Sequence, residues 1–116
     1  FSKERIVPTG KSVYDYILYD SGVEKRFAEG LEALKDVKYF IKLPGWFQVP
    51  TPVGSYNPDW AILRKNGDIV YMIRETKATK DQMQLRGFES AKIKCGARHF
   101  ETIGVDYDVA VSVSDL

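Results

Sequence analysis

The chain has 116 residues, enough for one globular domain, and 44% of them are hydrophobic, which excludes an intrinsically disordered protein. Its formal net charge of +1 does not by itself indicate a nucleic-acid partner. The lone Cys95 excludes an internal disulfide and favours an intracellular, cytoplasmic location, and nothing resembles a signal peptide or a membrane span. Because the sequence begins with Phe1, we expect residues 1–116 to be one domain of a larger protein.

The first part of the chain is predicted to contain one helix. Residues 1–12 include a proline and a glycine that break regular elements, so we expect a polar lead-in there. Residues 13–19 are aromatic and branched, which predicts a short strand or an extended arm. A helix should begin at Ser21, because Glu24 three positions later completes a capping box. Its apolar face would consist of Val23, Phe27, Leu31 and Leu34.

Three strands are predicted in the middle of the chain. Residues Lys38 to Leu43 alternate as a strand does, and a loop rich in proline and glycine follows. Strands are then expected from Trp60 to Arg64 and from Ile69 to Glu75. The dipeptide Asn66-Gly67 between them is a strong signal for a β-hairpin.

The last part predicts a second helix and a final strand. Thr79 and Gln82 form another capping-box pattern, opening a helix that should end near Cys95 or Gly96. Residues Val109 to Val113 are apolar enough for a closing strand. The order helix, strand, hairpin, helix, strand favours an α/β fold, a mixed sheet with a helix on each side.

Three charged residues stand at the edges of the hairpin strands. Asp59 comes just before the first strand, and Glu75 ends the second with Lys77 two positions later. Paired carboxylates suit a hard cation such as Mg²⁺, which takes oxygen ligands. Lys77 lies on the same strand face as Glu75, where its ammonium could orient a water or stabilise charge on a phosphate. Without further context, Asp59 could instead belong to a Pro-Asp turn that leads into the strand, and Glu75 and Lys77 could be an exposed strand end.

The register of the hairpin decides whether the two carboxylates can share a site. A two-residue turn at Asn66-Gly67 would place Asp59 opposite Arg74 and turn Glu75 to the other face. We therefore predict an odd-numbered loop, such as Asn66-Gly67-Asp68, or a bulge near Pro58.

Pro58-Asp59 followed by Glu75-Thr76-Lys77 resembles the PD-(D/E)XK nuclease motif. The surrounding stretches make the resemblance more specific: YDSGVEKRFAE at 19–29, KLPGWF at 42–47, PTPVGSYNPDWA at 50–61, RETK at 74–77 and KIKCGARHF at 92–100. Together they are similar to the C-terminal endonuclease domain of the Res (restriction) subunit of type III restriction enzymes. The resemblance covers most of residues 14–100.

This resemblance implies a restriction-endonuclease-like fold that hydrolyses double-stranded DNA with Mg²⁺. It also implies an ATP-dependent helicase-like motor upstream and a modification (methyltransferase) subunit as the partner that reads the target. The chain has no GxxxxGK[ST] motif, so ATP is expected to act only on a motor outside these residues.

The resemblance also assigns roles to residues. Asp59, Glu75 and the main-chain carbonyl of Thr76 would bind the metal, and Lys77 would act on the water or the transition state. Glu24 would either add a supporting carboxylate or only cap its helix. Independently of the resemblance, their positive charge makes Lys80, Arg86 and Lys92 candidates for contacts with DNA. Lys92 could instead extend its apolar stem along the helix face.

Two rival functions remain open from the sequence. The first is a catalytically inactive module of the same fold that binds duplex DNA without cutting it. The second is an interaction domain in which the hairpin only packs. Metal binding separates the second from the others, and nicking of DNA separates an enzyme from the first.

Overall fold

The computed structural model describes residues 6–8, 10–11, 16–18, 22–78 and 87–116. Within them, no helix is long and apolar enough to cross a membrane. The elements are, in chain order, β1 (Ile6–Pro8), β2 (Tyr16–Leu18), α1 (Gly22–Ala33), β3 (Val37–Lys42), β4 (Trp60–Asn66), β5 (Asp68–Thr76), α2 (Gly87–Thr102), β6 (Asp106–Ala110) and a 3₁₀ turn (Val113–Asp115).

The centre of the fold is a four-stranded mixed sheet in the order β3-β4-β5-β6. The pairs β3–β4 and β4–β5 are antiparallel, and β5–β6 is parallel. A parallel pair needs a long crossover, and the chain between β5 and β6 contains α2. The predicted α/β fold with a mixed sheet is therefore confirmed.

The two helices pack on opposite faces of this sheet. Neighbouring residues of a strand point to opposite faces, and Met72 and Ile73 of β5 belong to different apolar clusters. Met72 lies in the larger cluster with Phe27 and Leu31 of α1. Ile73 packs against the smaller cluster, which contains Phe100 of α2. The expectation of a helix on each side is thus confirmed, as is the helical spacing of Phe27 and Leu31.

The start of the chain differs from the prediction. Residues Ile6–Pro8, expected in an irregular lead-in, form β1 and pair with β2 in an antiparallel ribbon. Pro8 does not prevent this, because each strand of a two-stranded ribbon has a free edge where a missing N–H costs nothing. The strand reading of residues 13–19 is confirmed for Tyr16–Leu18. The predicted cap at Ser21 lies outside the described residues.

Helix α2 continues past the predicted end at Cys95 or Gly96, up to Thr102. The residue that ends it is Gly104, at φ +76°. Its N–H bonds to the Glu101 carbonyl at 3.1 Å and the Val105 N–H bonds to the Phe100 carbonyl at 2.9 Å, which is a Schellman motif. The predicted start of this helix, with Thr79 and Gln82, lies outside the described residues.

The last strand is also displaced from its predicted position at Val109 to Val113. It spans Asp106–Ala110, with three residues between it and the end of α2, and its parallel register with β5 begins with the pair Met72 and Asp106. Val113 belongs instead to the 3₁₀ turn and packs on α1, where a Cβ added to Gly30 would lie 2.7 Å from Val113 Cγ1.

Gly104→Ala should destabilise the chain by about 1–2 kcal/mol, because alanine is strained at positive φ. The matched control is Gly45→Ala, where an added Cβ would have nothing within 4 Å and φ is not positive. Chemical denaturation measures both. Equal stability of the two variants would contradict the assignment of Gly104 as the helix terminator.

Candidate active site

The hairpin places Asp59 and Glu75 opposite each other. Lys65 pairs with Ile69 and Asn66 pairs with Asp68, which leaves Gly67 at the tip with φ +85°. Trp60 pairs with Arg74, so one further step in the same register brings Asp59 opposite Glu75. The predicted odd-numbered loop is therefore confirmed.

Asp59 is held by hydrogen bonds from both neighbouring strands. Its Oδ2 accepts from the backbone N–H of Thr76 and from the Thr76 hydroxyl, each at 2.8 Å. The Trp60 indole N–H also donates to Thr76 Oγ1, at 3.2 Å, and Trp60 is fully buried. The Asp59 carbonyl accepts from the N–H of Leu43, just beyond β3, at 2.7 Å. These contacts fix the Asp59 carboxylate at the end of the sheet.

Glu75 is the more deeply buried of the two carboxylates, with only 5% of its surface exposed. Its Oε1 accepts a hydrogen bond from the Tyr56 hydroxyl at 2.6 Å, and its Oε2 lies 3.6 Å from Lys77 Nζ. The pKa of Glu75 is raised to about 8, mainly by burial and secondly by the negative charge of Asp59. A carboxyl with a strongly raised pKa beside a second carboxylate is a common feature of functional sites.

A small cavity of about 180 Å³ opens beside Glu75. Lys77 lines it, and so does Lys92 from α2, one of the predicted DNA contacts. The other two predicted contacts, Lys80 and Arg86, lie outside the described residues. The structure thus brings Glu75, Lys77 and one distant lysine around one opening.

A larger cavity of about 390 Å³ lies over the sheet and has a different character. Its described lining is apolar and aromatic, with Leu63, Ile73 and Phe100 among its residues. No carboxylate, lysine or histidine is present among these described lining residues. Hydrolysis needs such groups, so this larger apolar cavity is not a candidate active site.

Glu24 forms an ion pair with Lys42, whose Nζ lies 3.2 Å from Glu24 Oε1. Lys42 is the strand partner of Trp60, so this pair lies near the end of the sheet that carries Asp59. Among the described residues, no group of three or more acidic, histidine or cysteine side chains could hold a metal ion. The supporting carboxylate role of Glu24 stays a prediction.

Two tyrosines at the site were not predicted. Tyr56 bonds to Glu75, and its hydroxyl lies 2.7 Å from the hydroxyl of Tyr107 in β6. Tyr56 lies three positions before Asp59, within the motif PTPVGSYNPDWA at 50–61. No periodic pattern in the sequence connects it with Glu75. Tyr107 is distant in sequence from both, so only the parallel pairing of β6 with β5 brings it to the site.

The sheet, its flanking helices and the paired carboxylates define a restriction-endonuclease-type domain. The family model described as an endonuclease domain matches residues 10–114, and the chain belongs to this family. The match extends beyond residues 14–100, where the sequence motifs lie. Searches of curated proteins and of solved structures gave no significant match. Membership of the family implies nuclease activity on DNA.

The raised pKa of Glu75 predicts how stability depends on pH. Its folded pKa of about 8 exceeds the ordinary value of 4.5, so the folded state favours the neutral carboxyl. The resulting stabilisation is complete below about pH 4.5 and is lost as pH rises through about 8. In metal-free buffer the free energy of unfolding should therefore fall by up to a few kcal/mol between these limits.

Glu75→Gln should remove most of this fall, because an amide does not titrate. Denaturant titrations across the pH range with a chelator present measure the effect. The control is Glu101→Gln on the exposed surface of α2, which should keep the parental pH dependence. An unchanged slope in Glu75→Gln would mean that another group causes the pH dependence.

Proposed function

We propose that the chain is the nuclease domain of a type III restriction enzyme and hydrolyses double-stranded DNA with Mg²⁺. The observation that carries the proposal is the meeting of Asp59 and Glu75 at one end of β4 and β5, with the Lys77 ammonium 3.6 Å from Glu75 Oε2. Family membership supports the nuclease part of the proposal. The motifs at 19–29, 42–47, 50–61 and 92–100 support the type III part.

The residues at this strand end fit a hard divalent cation. The charge of Asp59 helps to raise the pKa of Glu75, and a bound cation would relieve that repulsion. Asp59 accepts both hydrogen bonds from Thr76 at Oδ2, so neither of them uses Oδ1. Asp59, Glu75 and the carbonyl of Thr76 would hold the ion, all through oxygen. Mg²⁺, when bound, promotes ionisation of water and neutralises negative charge on phosphate.

Besides the bound cation, Lys77 would supply positive charge at the site. Its main-chain N–H bonds to the Ala110 carbonyl at 3.1 Å, which fixes its backbone beside β6. The ammonium can then hold the attacking water or stabilise charge on the scissile phosphate. In the reaction the water oxygen attacks phosphorus, the bond to the departing sugar oxygen breaks, and that oxygen takes up a proton.

Contacts with DNA would come from the surface around the same cavity. Lys92 lines the cavity with Glu75 and Lys77, which supports a role for it in contacting a phosphate next to the scissile one. Lys80 and Arg86 are proposed to extend this contact. The target sequence would be read by the modification subunit, and ATP would be used by a motor outside these residues.

Substitution of the three central residues tests the proposal in the intact enzyme. Asp59→Ala, Glu75→Ala and Lys77→Ala should each reduce plasmid cleavage by about 10²- to 10³-fold, since each removes an electrostatic group at the reacting phosphate. ATP hydrolysis, measured in parallel, should be unchanged. Glu101→Ala, on the exposed side of α2, is the control and should cleave normally.

A Glu75→Ala enzyme that cuts at the parental rate would place the chemistry elsewhere. A parental enzyme that binds duplex DNA and never nicks it would instead identify the inactive DNA-binding module. Ca²⁺ should compete with Mg²⁺ without supporting cleavage, because it is larger and accepts looser coordination.

The chain by itself should bind DNA weakly and with strong salt dependence, because its formal net charge is only +1. We expect little cleavage of plasmid by these residues alone and full cleavage only in the complete assembly. Gel-shift titrations at several salt concentrations and a plasmid assay without ATP measure both properties. Efficient cleavage by the chain alone would show that its activity does not depend on a motor.

A further inference from the structure

Tyr56 makes a short, buried contact with one particular oxygen of Glu75. The distance of 2.6 Å between Tyr56 Oη and Glu75 Oε1 is that of a short hydrogen bond from a hydroxyl to a carboxyl oxygen. Glu75 Oε2 instead lies on the side of Lys77, at 3.6 Å from its ammonium. The hydroxyl therefore distinguishes the two oxygens of the carboxylate, and leaves Oε2 directed to the charged side of the site.

Tyr107 completes a chain of hydroxyl groups. The two hydroxyl oxygens of Tyr56 and Tyr107 are 2.7 Å apart. Tyr56 has one hydroxyl proton and gives it to Glu75, so Tyr107 must donate to the Tyr56 oxygen. The Tyr107 hydroxyl therefore donates to the Tyr56 hydroxyl, which in turn donates to Glu75.

The ring of Tyr56 is fixed by three separate parts of the fold. Its backbone forms a bridge with Val49, with hydrogen bonds of 2.7 and 2.8 Å. The ring lies directly on Gly96 of α2, where an added Cβ would be 2.4 Å from Tyr56 Cε2. Tyr107 meets it edge-on at 6.3 Å and is itself stacked on Phe100 at 5.4 Å. A hydroxyl anchored in this way cannot follow Glu75 if the carboxylate turns.

We propose that Tyr56 is a positioning residue: the hydroxyl chain from Tyr107 through Tyr56 holds Glu75 Oε1 and so presents Oε2 to the divalent cation. The inference rests on the metal site assigned above to Asp59 and Glu75. Groups that orient a metal-binding carboxylate typically change metal affinity by about 10- to 100-fold when they are removed. Removal of a hydroxyl from this chain should therefore weaken metal binding, while the rings keep their packing.

Tyr56→Phe tests this, because phenylalanine keeps the ring on Gly96 and removes only the hydroxyl. Binding of Mn²⁺ to the chain, followed by electron paramagnetic resonance, should weaken by about 10-fold or more. Tyr107→Phe keeps the bond from Tyr56 to Glu75 and should weaken binding less. Tyr71→Phe is the control, since Tyr71 is 67% exposed and should bind as the parental chain does.

A second readout separates positioning from a general loss of structure. In the intact enzyme, Tyr56→Phe should raise the Mg²⁺ concentration needed for half-maximal cleavage, with a rate at saturating Mg²⁺ close to the parental rate. Parental Mn²⁺ affinity in Tyr56→Phe would overturn the inference and leave the proposed function intact. Absence of Mn²⁺ binding in the parental chain would overturn the metal site itself, and the inference with it. If Tyr56→Phe does not fold, parental affinity in Tyr107→Phe overturns the inference.

Discussion

The site depends on the register between β4 and β5. Side chains alternate between faces along a strand, so a shift of one residue would turn Glu75 to the opposite face from Asp59. The turn at Gly67 sets this register from the far end of the hairpin, where its φ of +85° is easily adopted by glycine. A glycine with no contact to the site thus decides whether the two carboxylates can act together.

Placing Glu75 in a buried position beside Asp59 opposes the ionisation of Glu75, and the surrounding structure only partly compensates. Burial and the charge of Asp59 raise the pKa of Glu75, while the Tyr56 hydroxyl and the Lys77 ammonium act in the other direction. Asp59 accepts hydrogen bonds from the backbone and the side chain of Thr76, which hold its carboxylate beside Glu75. The structure therefore holds Glu75 in surroundings that disfavour its charged form.

Helix α2 supports the site through its contacts with Tyr56 and Tyr107. Gly96 has no side chain, so the Tyr56 ring can lie against the helix, and Phe100 one turn further along stacks on Tyr107. The strand after the helix is parallel to β5 and places Tyr107 beside Tyr56. Residues of α2 and β6 therefore fix the position of the Tyr56 hydroxyl that bonds to Glu75.

Local patterns in the sequence were sufficient for the apolar face of α1 and for the hairpin, which follow from periodicity and from the Asn66-Gly67 signal. The odd-numbered loop did not follow from that signal, which favours a two-residue turn. It followed from the requirement that Asp59 and Glu75 lie on one face of the sheet. Only the tertiary structure decided the pairing of β1 with β2, the continuation of α2 past Gly96, the limits of β6, the ion pair of Glu24 with Lys42 and the contact of Tyr56 with Tyr107. These features depend on contacts between distant segments, and a local pattern carries no information about which segment will meet it. Gly96 shows the reason most clearly, since the same residue type ends a helix or admits a neighbouring ring according to what packs against it.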